Sequence, residues 1–138
     1  MRVCVIDGQG GGIGSVLIKA IKAALGEEAE VIALGTNAVA TAQMMKARAN
    51  KGASGENAIC RTVVSADFIV GPLSIILAEA MMGEVSSAIA VAVASAPAPK
   101  LLLPLTQEAV EIMGVAPEPL PPLVERLIER LKELCQDV

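Results

Sequence analysis

A glycine-rich segment near the N-terminus constrains the fold of this chain more than any other feature. The apolar run Val3–Ile6 leads into it, and an amphipathic stretch begins at Ile13. The junction contains the glycines Gly8, Gly10, Gly11 and Gly12, and Gly14 follows just inside the amphipathic stretch. A continuous apolar run is typical of a strand covered on both faces, whereas residues 13–24 repeat with a helical period. This change of period across a glycine loop predicts the start of a βαβ unit.

The remaining apolar runs and helical patterns alternate along the chain. They predict further strands at 31–34, 67–70 and 101–103, and a short last strand at 110–115. Helices are predicted from Ile13 to Gly26, from Asn37 to about Ala49, and over 56–64, 73–83, 86–95 and 121–135, with a loop at 50–55. Alternation of this kind favours a three-layer, Rossmann-like α/β fold with a doubly wound, mainly parallel sheet. We expect about five strands in a single domain spanning 1–138, in the order 3-2-1-4-5 or 2-1-3-4-5.

Two predicted helices carry specific expectations about their faces. Asn37 is placed to cap the second helix, whose inner face is predicted to consist of Ala38, Ala42, Met45 and Ala49. The last helix has a leucine-rich stripe formed by Leu120, Val124, Leu127, Leu131 and Leu134. That stripe is typical of a helix that covers the sheet, with a dimer seam as the alternative.

Composition excludes several classes of function. The chain has no His, Tyr or Trp, one Phe and a net charge of −4. Histidine-based acid–base catalysis, histidine metal sites and tyrosine-dependent hydride transfer are therefore excluded, and we expect no metal site. Binding of single-stranded nucleic acid relies on basic grooves and aromatic platforms, so we expect no nucleic-acid partner.

The high apolar content bears on location and assembly. Hydrophobic residues make up 54% of the chain, but no apolar run reaches the roughly 18 residues of a membrane helix. We expect a cytoplasmic protein without a membrane partner, and its three widely spaced cysteines predict free thiols. So much apolar surface in a small chain favours a homo-oligomer, which we expect to be a dimer.

The predicted carboxyl ends of the strands carry small or polar residues that suit a ligand site. In open parallel sheets, ligands bind outside these strand ends. The candidates are Asp7 and Gly8, Gly35 with Thr36 and Asn37, Gly71 and Pro72 with Ser74, and Pro104 to Thr106. Thr36 and Asn37 could bind a ribose or serve only as a strand exit and helix cap. Asp7 could contact Mg²⁺, a ribose or the loop amides, the last being its commoner role.

The glycine loop itself predicts a phosphate site. Residues without Cβ let backbone N–H groups approach a phosphate, and the positive end of the following helix adds to the attraction. The candidate binding residues are Asp7, Gly8, Gln9, Gly10, Gly11, Gly12, Ile13, Gly14, Thr36, Asn37, Gly71 and Pro72. NAD(P) or another nucleotide is the expected cofactor. The alternative is a glycine-rich turn that only packs the helix against the strand.

Two known loops resemble this segment in part. The pattern formed by Gly8, Gly12 and Gly14 resembles the fingerprint of short-chain dehydrogenases and reductases, but the chain has no tyrosine for their catalytic pair and no acid after the second strand. Residues 11–15 look like the loop of deviant Walker ATPases, yet Ser15 stands at the lysine position. Neither mechanism is expected here.

As a whole, the chain resembles an uncharacterised bacterial family of short Rossmann-like proteins. The residues that carry this resemblance are IDGQGGGIG at 6–14, ALGTNAVAT at 33–41, GENAI at 55–59, IVGPLSII at 69–76, MGE at 82–84 and LLPL at 102–105. The resemblance implies a single small α/β domain and implies no activity.

Three functions are compatible with these observations. The first is a nucleotide- or dinucleotide-binding module, whose partner is a small phosphate-bearing ligand. The second is a small enzyme acting on a phosphorylated metabolite through Asp7, Glu56, Asn57 or Ser74. The third is a structural subunit without a ligand. Glu56 and Asn57 could equally start a helix, and Cys60 has no evident base near it in the sequence.

Overall fold

A computed structural model describes residues 1–136 of the chain as a five-stranded, all-parallel sheet with helices on both faces. The strands are β1 (Arg2–Asp7), β2 (Glu30–Gly35), β3 (Lys51–Ser54), β4 (Phe68–Pro72) and β5 (Lys100–Leu103). The helices are α1 (Gly12–Leu25), α2 (Ala38–Lys46), α3 (Glu56–Thr62), α4 (Ser87–Ser95) and α5 (Leu120–Gln136). This architecture confirms the predicted three-layer, doubly wound α/β fold.

The strand order is β3-β2-β1-β4-β5. The four strands predicted at 3–6, 31–34, 67–70 and 101–103 therefore lie in the order 2-1-3-4 of the predicted numbering, as in the second predicted order, and the edge beside β2 is occupied by β3, which the sequence did not predict. The chain winds outward from β1 in one direction through β2 and β3, and then in the other through β4 and β5. The order reverses between β1 and β4, which pair from Val3 with Phe68 to Val5 with Val70. In such sheets a crevice opens at this switch point, directly beyond the carboxyl end of β1.

Alternate residues of the central strands enter two separate hydrophobic cores. Val3 and Val5 of β1 pack on the side of α1, α2 and α5, whereas Cys4 and Ile6 pack on the side of α3 and α4. Because both faces of β1 are covered, its sequence is apolar without interruption. The leucine stripe of α5 belongs to the first core, which confirms the prediction that this helix covers the sheet.

The fifth strand is not where the sequence predicted it. Residues 50–55 were expected to form a loop, but Lys51–Ser54 forms edge strand β3, and residues 110–115 form no strand. Most of β3 is exposed, so it lacks the apolar run that identifies a buried strand. Residues 110–115 are mostly apolar but exposed, so their apolar pattern predicted a strand that does not form.

The predicted helix at residues 73–83 is also wrong. The segment begins with a short 3₁₀ turn at Leu73–Ile76 and continues as turns. Glu79, Met81 and Met82 adopt positive φ values of 68°, 57° and 58°, which no right-handed helix contains. Ile75, Ile76, Leu77, Ala80 and Met81 nevertheless pack in or against the second core, whereas Met82 is 96% exposed.

The predicted inner face of α2 is rotated away from the observed one. The helix buries Ala40, Thr41 and Met44, while Ala42 and Met45 are exposed. The alanines and methionines of this helix are distributed over most of its faces, so its sequence has too little amphipathic contrast to indicate which face is buried. The predicted cap is confirmed, because the Asn37 side chain accepts a hydrogen bond of 2.8 Å from the Ala40 N–H.

The helices at 56–64, 86–95 and 121–135 are confirmed as α3, α4 and α5, with small differences at their ends. Within residues 1–136, no helix combines the length and apolar character needed to cross a membrane.

Candidate functional site

The glycine loop connects β1 to α1 at the switch point of the sheet, and three of its five glycines have a structural reason to be glycine. A Cβ at Gly8 would lie 2.4 Å from the Thr36 hydroxyl oxygen. Gly11 has a φ of 71°, and a Cβ there would also meet the backbone of α2. At Gly14 a Cβ would lie 2.5 Å from Sδ of Met44. These three glycines therefore serve close packing and the turn itself.

The other two glycines, Gly10 and Gly12, have no such structural reason. A Cβ at either position would meet no atom within 4 Å, and neither has a positive φ. Both residues are exposed. Among the hydrogen bonds of residues 1–136, none uses the N–H of Gly10 or Gly12. Two backbone donors, one on each side of Gly11, are thus without a hydrogen-bond partner among residues 1–136 at the start of α1.

Asp7 holds the loop from beneath. Its two carboxylate oxygens accept hydrogen bonds of 2.8 Å each from the Gly8 and Gly14 N–H groups, and the residue is 3% exposed. Burial raises the pKa of Asp7, although these N–H groups oppose the shift. With both oxygens engaged, this carboxylate ties the end of β1 to the first turn of α1.

Thr36 and Asn37 connect the end of β2 to the glycine loop. The Asn37 Oδ1 caps α2, while its Nδ2 donates to the Gln9 carbonyl at 3.0 Å and to Oε1 of Glu84 at 2.8 Å. The Thr36 hydroxyl donates to the same Glu84 oxygen at 2.7 Å. The predicted cap role and a place beside the loop are therefore combined in these two residues.

Glu84 is the site residue that the sequence analysis missed. Its Oε1 accepts three hydrogen bonds, the third coming from the Gln9 N–H at 2.8 Å. Desolvation raises the pKa of Glu84, but these hydrogen bonds outweigh it and place the pKa below its ordinary value. No local pattern indicates this contact, because Glu84 is predicted to lie just beyond a helix and is 75 residues from Gln9.

The segment carrying Glu84, residues 77–86, is folded tightly over the glycine loop. Its backbone closes on itself through hydrogen bonds from the Glu79 N–H to the Val85 carbonyl at 2.7 Å and from the Val85 N–H to the Ala80 carbonyl at 3.1 Å. Gln9, on the facing loop, has a φ of 50° although it is not glycine. Such backbone conformations persist only where surrounding contacts hold them, as Glu84 does here.

Gly71 and Pro72 form the end of β4. A Cβ at Gly71 would lie 2.4 Å from the Ile6 carbonyl oxygen, so glycine is required there for the close approach of β4 to β1. Pro72 lines the crevice together with Ser74, whose hydroxyl donates to the Thr106 hydroxyl at 3.0 Å.

The crevice beyond these strand ends has a volume of about 620 Å³. It brings together three of the four predicted strand ends, represented by Asp7, Pro72 and Thr106. Ile13 of α1 and the acidic residues Glu79 and Glu108 also line it. In the described part of the chain, neither lysine nor arginine contributes to its lining.

The remaining predicted candidates lie away from the crevice. Glu56 begins α3 and accepts a hydrogen bond from the Ser86 hydroxyl, while Asn57 is exposed. The Cys60 thiol lies 3.7 Å from the Ala88 carbonyl oxygen, between α3 and α4. Within residues 1–136, no three His, Cys, Asp or Glu side chains are grouped as metal ligands would be.

Comparison with known proteins identifies the family. Residues 2–136 match the model of a family described as a domain of unknown function (DUF3842), and the chain belongs to that family. No curated protein matches the chain. Among solved structures, it is similar to a dodecameric FMN-dependent UbiX-like decarboxylase from Escherichia coli O157:H7, at 13% identity and a TM-score of 0.47. That similarity covers 99% of this chain and 94% of the other.

Proposed function

We propose that the chain binds a small phosphate-bearing ligand of the nucleotide class, with its phosphate at the N–H groups of Gly10 and Gly12. The observation that carries this proposal is the division among the loop glycines. Packing or backbone conformation requires Gly8, Gly11 and Gly14, but nothing in the fold requires Gly10 and Gly12. A glycine that neither packing nor backbone conformation requires lowers the stability of the fold, by roughly 0.5–1 kcal/mol relative to alanine in regular structure. A ligand that approaches the backbone closely would explain why these two positions are glycine.

The electrostatics at this end of α1 support an anion. The first turn of the helix contains no acidic residue, and its N-cap, Gly11, provides no side chain to cap the free N–H groups. Asp7 accepts a hydrogen bond from the Gly14 N–H, whereas the Gly12 N–H has no hydrogen-bond partner among residues 1–136. The partial positive charge of a helix N-terminus then favours a phosphate without any basic side chain.

The crevice restricts what else the ligand carries. Its lining includes the acidic residues Glu79 and Glu108 and the apolar residues Ile13 and Pro72. A second phosphate group placed there would meet like charge in the absence of any compensating cation on the described lining. We therefore propose that the part of the ligand in the crevice is uncharged and donates hydrogen bonds. NAD(P) and other nucleotides each offer such a part beside a phosphate.

The test uses probes that separate phosphate from the rest of a nucleotide. Thermal unfolding is followed with inorganic phosphate, AMP, FMN, NAD⁺ and NADP⁺ at millimolar concentration. A ligand present at ten times its Kd stabilises the fold by roughly 1.4 kcal/mol, which raises the midpoint measurably. We expect at least one nucleotide to raise it, and the proposal is wrong if none does.

The variant Gly12→Val places a branched side chain over the proposed phosphate position. It is expected to abolish the ligand-induced shift while the ligand-free midpoint stays close to wild type, because a Cβ at Gly12 meets no neighbour. Ala23→Val, at an exposed position on the same helix, is the matched control and should keep the full shift. Equal ligand responses in both variants would contradict the assigned position.

A further inference from the structure

The carboxylate of Glu84 stands beside the glycine loop in a way that the phosphate site does not explain. Its Oε1 is fixed by donors from two strand ends, namely the Gln9 N–H beyond β1 and the Thr36 and Asn37 side chains beyond β2. Three donors saturate this oxygen. The other oxygen, Oε2, takes part in no hydrogen bond with residues 1–136.

This location matters in sheets that bind nucleotides. An acidic residue at the end of the second strand there accepts hydrogen bonds from the ribose hydroxyls. In this chain the end of β2 reads Gly35, Thr36 and Asn37, with no acid. The fold brings a carboxylate to the same place from the segment after β4, 48 residues beyond Thr36.

We propose that Glu84 recognises the 2′,3′-diol of a ribose and so makes the site selective for nucleotides without a 2′-phosphate. This inference rests on the proposed nucleotide-binding function and adds the sugar to it. The open Oε2 accepts from a ribose hydroxyl. The Thr36 hydroxyl already donates to Oε1, so it is left to accept from the neighbouring ribose hydroxyl. A 2′-phosphate brings negative charge against an ionised carboxylate and is rejected.

The three donors to Glu84 also bear on a second possible role for its carboxylate. Glu84 could occupy the phosphate position itself and keep the site closed. However, the N–H groups of Gly10 and Gly12, where the phosphate is proposed to bind, donate no hydrogen bond to Glu84. The carboxylate and the phosphate thus have separate donors, and both can be present together.

The experiment compares pairs of nucleotides that differ at one position of the ribose. Isothermal titration of the wild-type protein is carried out with AMP against 2′-deoxy-AMP, and with NAD⁺ against NADP⁺. We expect the diol-bearing member of each pair to bind about tenfold more tightly or better, because unpaired polar groups in a site penalise the analogue that lacks the hydroxyl. In Glu84→Gln, the preference for NAD⁺ over NADP⁺ should fall several-fold or more.

Two further variants keep the readout specific. Thr36→Val removes one donor to Oε1 and is expected to reduce the preference for AMP over 2′-deoxy-AMP. Glu27→Gln removes the same charge from an exposed turn before β2, at the opposite end of that strand, and should leave both preferences unchanged. A variant that only weakens the fold would lower binding of both members of a pair alike, so the ratio reports recognition.

Three outcomes would overturn the inference. If wild-type protein binds AMP and 2′-deoxy-AMP equally, Glu84 does not read the diol, although the nucleotide site stands. If Glu84→Gln binds inorganic phosphate more tightly than wild type without any change in the ribose preference, the carboxylate occupies the phosphate position instead. If no probe binds any form of the protein, the nucleotide site itself is wrong and the inference falls with it.

Discussion

Two glycines of the loop, Gly12 and Gly14, offer a direct test of the division between open and packed positions. Both lie in the first turn of α1, so alanine adds the same methyl group to the same helix. At Gly12 the new Cβ meets nothing within 4 Å, whereas at Gly14 it would lie 2.5 Å from Sδ of Met44 and 3.0 Å from Cβ of Asp7. The two substitutions should therefore change stability in opposite directions.

The expected magnitudes follow from these contacts. In Gly12→Ala, better helix propensity stabilises the fold by up to about 1 kcal/mol, and by less at a helix end. Gly14→Ala has the same propensity gain, but Met44 is fully buried and must be displaced. Overpacking of this kind costs roughly 1–3 kcal/mol, and a displaced Asp7 weakens its bond to the Gly14 N–H by about 1 kcal/mol more. The net loss in Gly14→Ala is about 1–3 kcal/mol.

Urea unfolding of both variants and wild type measures these differences as shifts in the midpoint at a constant m-value. Gly12→Ala should unfold at or slightly above the wild-type midpoint and Gly14→Ala clearly below it. If Gly12→Ala loses as much as Gly14→Ala, Gly12 is a packing residue and the proposed phosphate position has no structural support. If Gly14→Ala matches wild type, the contact between α1 and α2 is looser than the structure shows.

Three further predictions concern other parts of the fold. Gly71→Ala forces a Cβ toward the Ile6 carbonyl oxygen, so it should lower the free energy of unfolding by about 3 kcal/mol. Calorimetry at neutral pH measures this loss, and a variant as stable as wild type would contradict the close approach of β4 to β1. Despite desolvation, the hydrogen bonds to Glu84 lower its pKa in the folded protein. Its stabilising effect is therefore present above the unfolded pKa of about 4.3 and is lost as pH falls through the folded pKa. On acidification to pH 3, the unfolding midpoint of Glu84→Gln should accordingly fall less than that of wild type. Burial raises the pKa of the Cys4 thiol to about 11, so a thiol reagent at pH 7.5 should label at most Cys60 and Cys135 in the native protein. Modification of Cys4 without unfolding would contradict the burial of β1.

Local patterns in the sequence determined most of the architecture. Val3–Ile6 is apolar at every position because β1 is covered on both faces, and the shift to a helical period at Ile13 marks α1. The Asn37 cap, the glycine end of α1 at Gly26 and the leucine stripe of α5 are each read within one or two helical turns. Such signals depend on neighbouring residues, so they predicted four of the five strands and the α/β class.

The remaining strand, β3, was not predicted because it lies at the edge of the sheet. The exposed segment Lys51–Ser54 has no buried face to encode, and it becomes a strand only because Ala33 and its neighbours in β2 present an open edge to it. Conversely, residues 110–115 are apolar enough for a strand but find no neighbouring strand to pair with among residues 1–136. Strand formation at a sheet edge is a property of the pairing partner as much as of the segment.

At the site, the sequence located the glycine loop but could not assign its glycines. Their roles depend on Met44 of α2, the carbonyls around Ala40 and the Thr36 side chain, all distant along the chain from the loop. Glu84 is further removed still. It reaches the loop only because residues 77–86 turn through positive φ values instead of continuing the helix that their apolar spacing predicted. Periodicity indicates that a segment packs against the sheet, whereas long-range contacts decide the path of the backbone. Here they bring a carboxylate to the end of β2, where the local sequence has none.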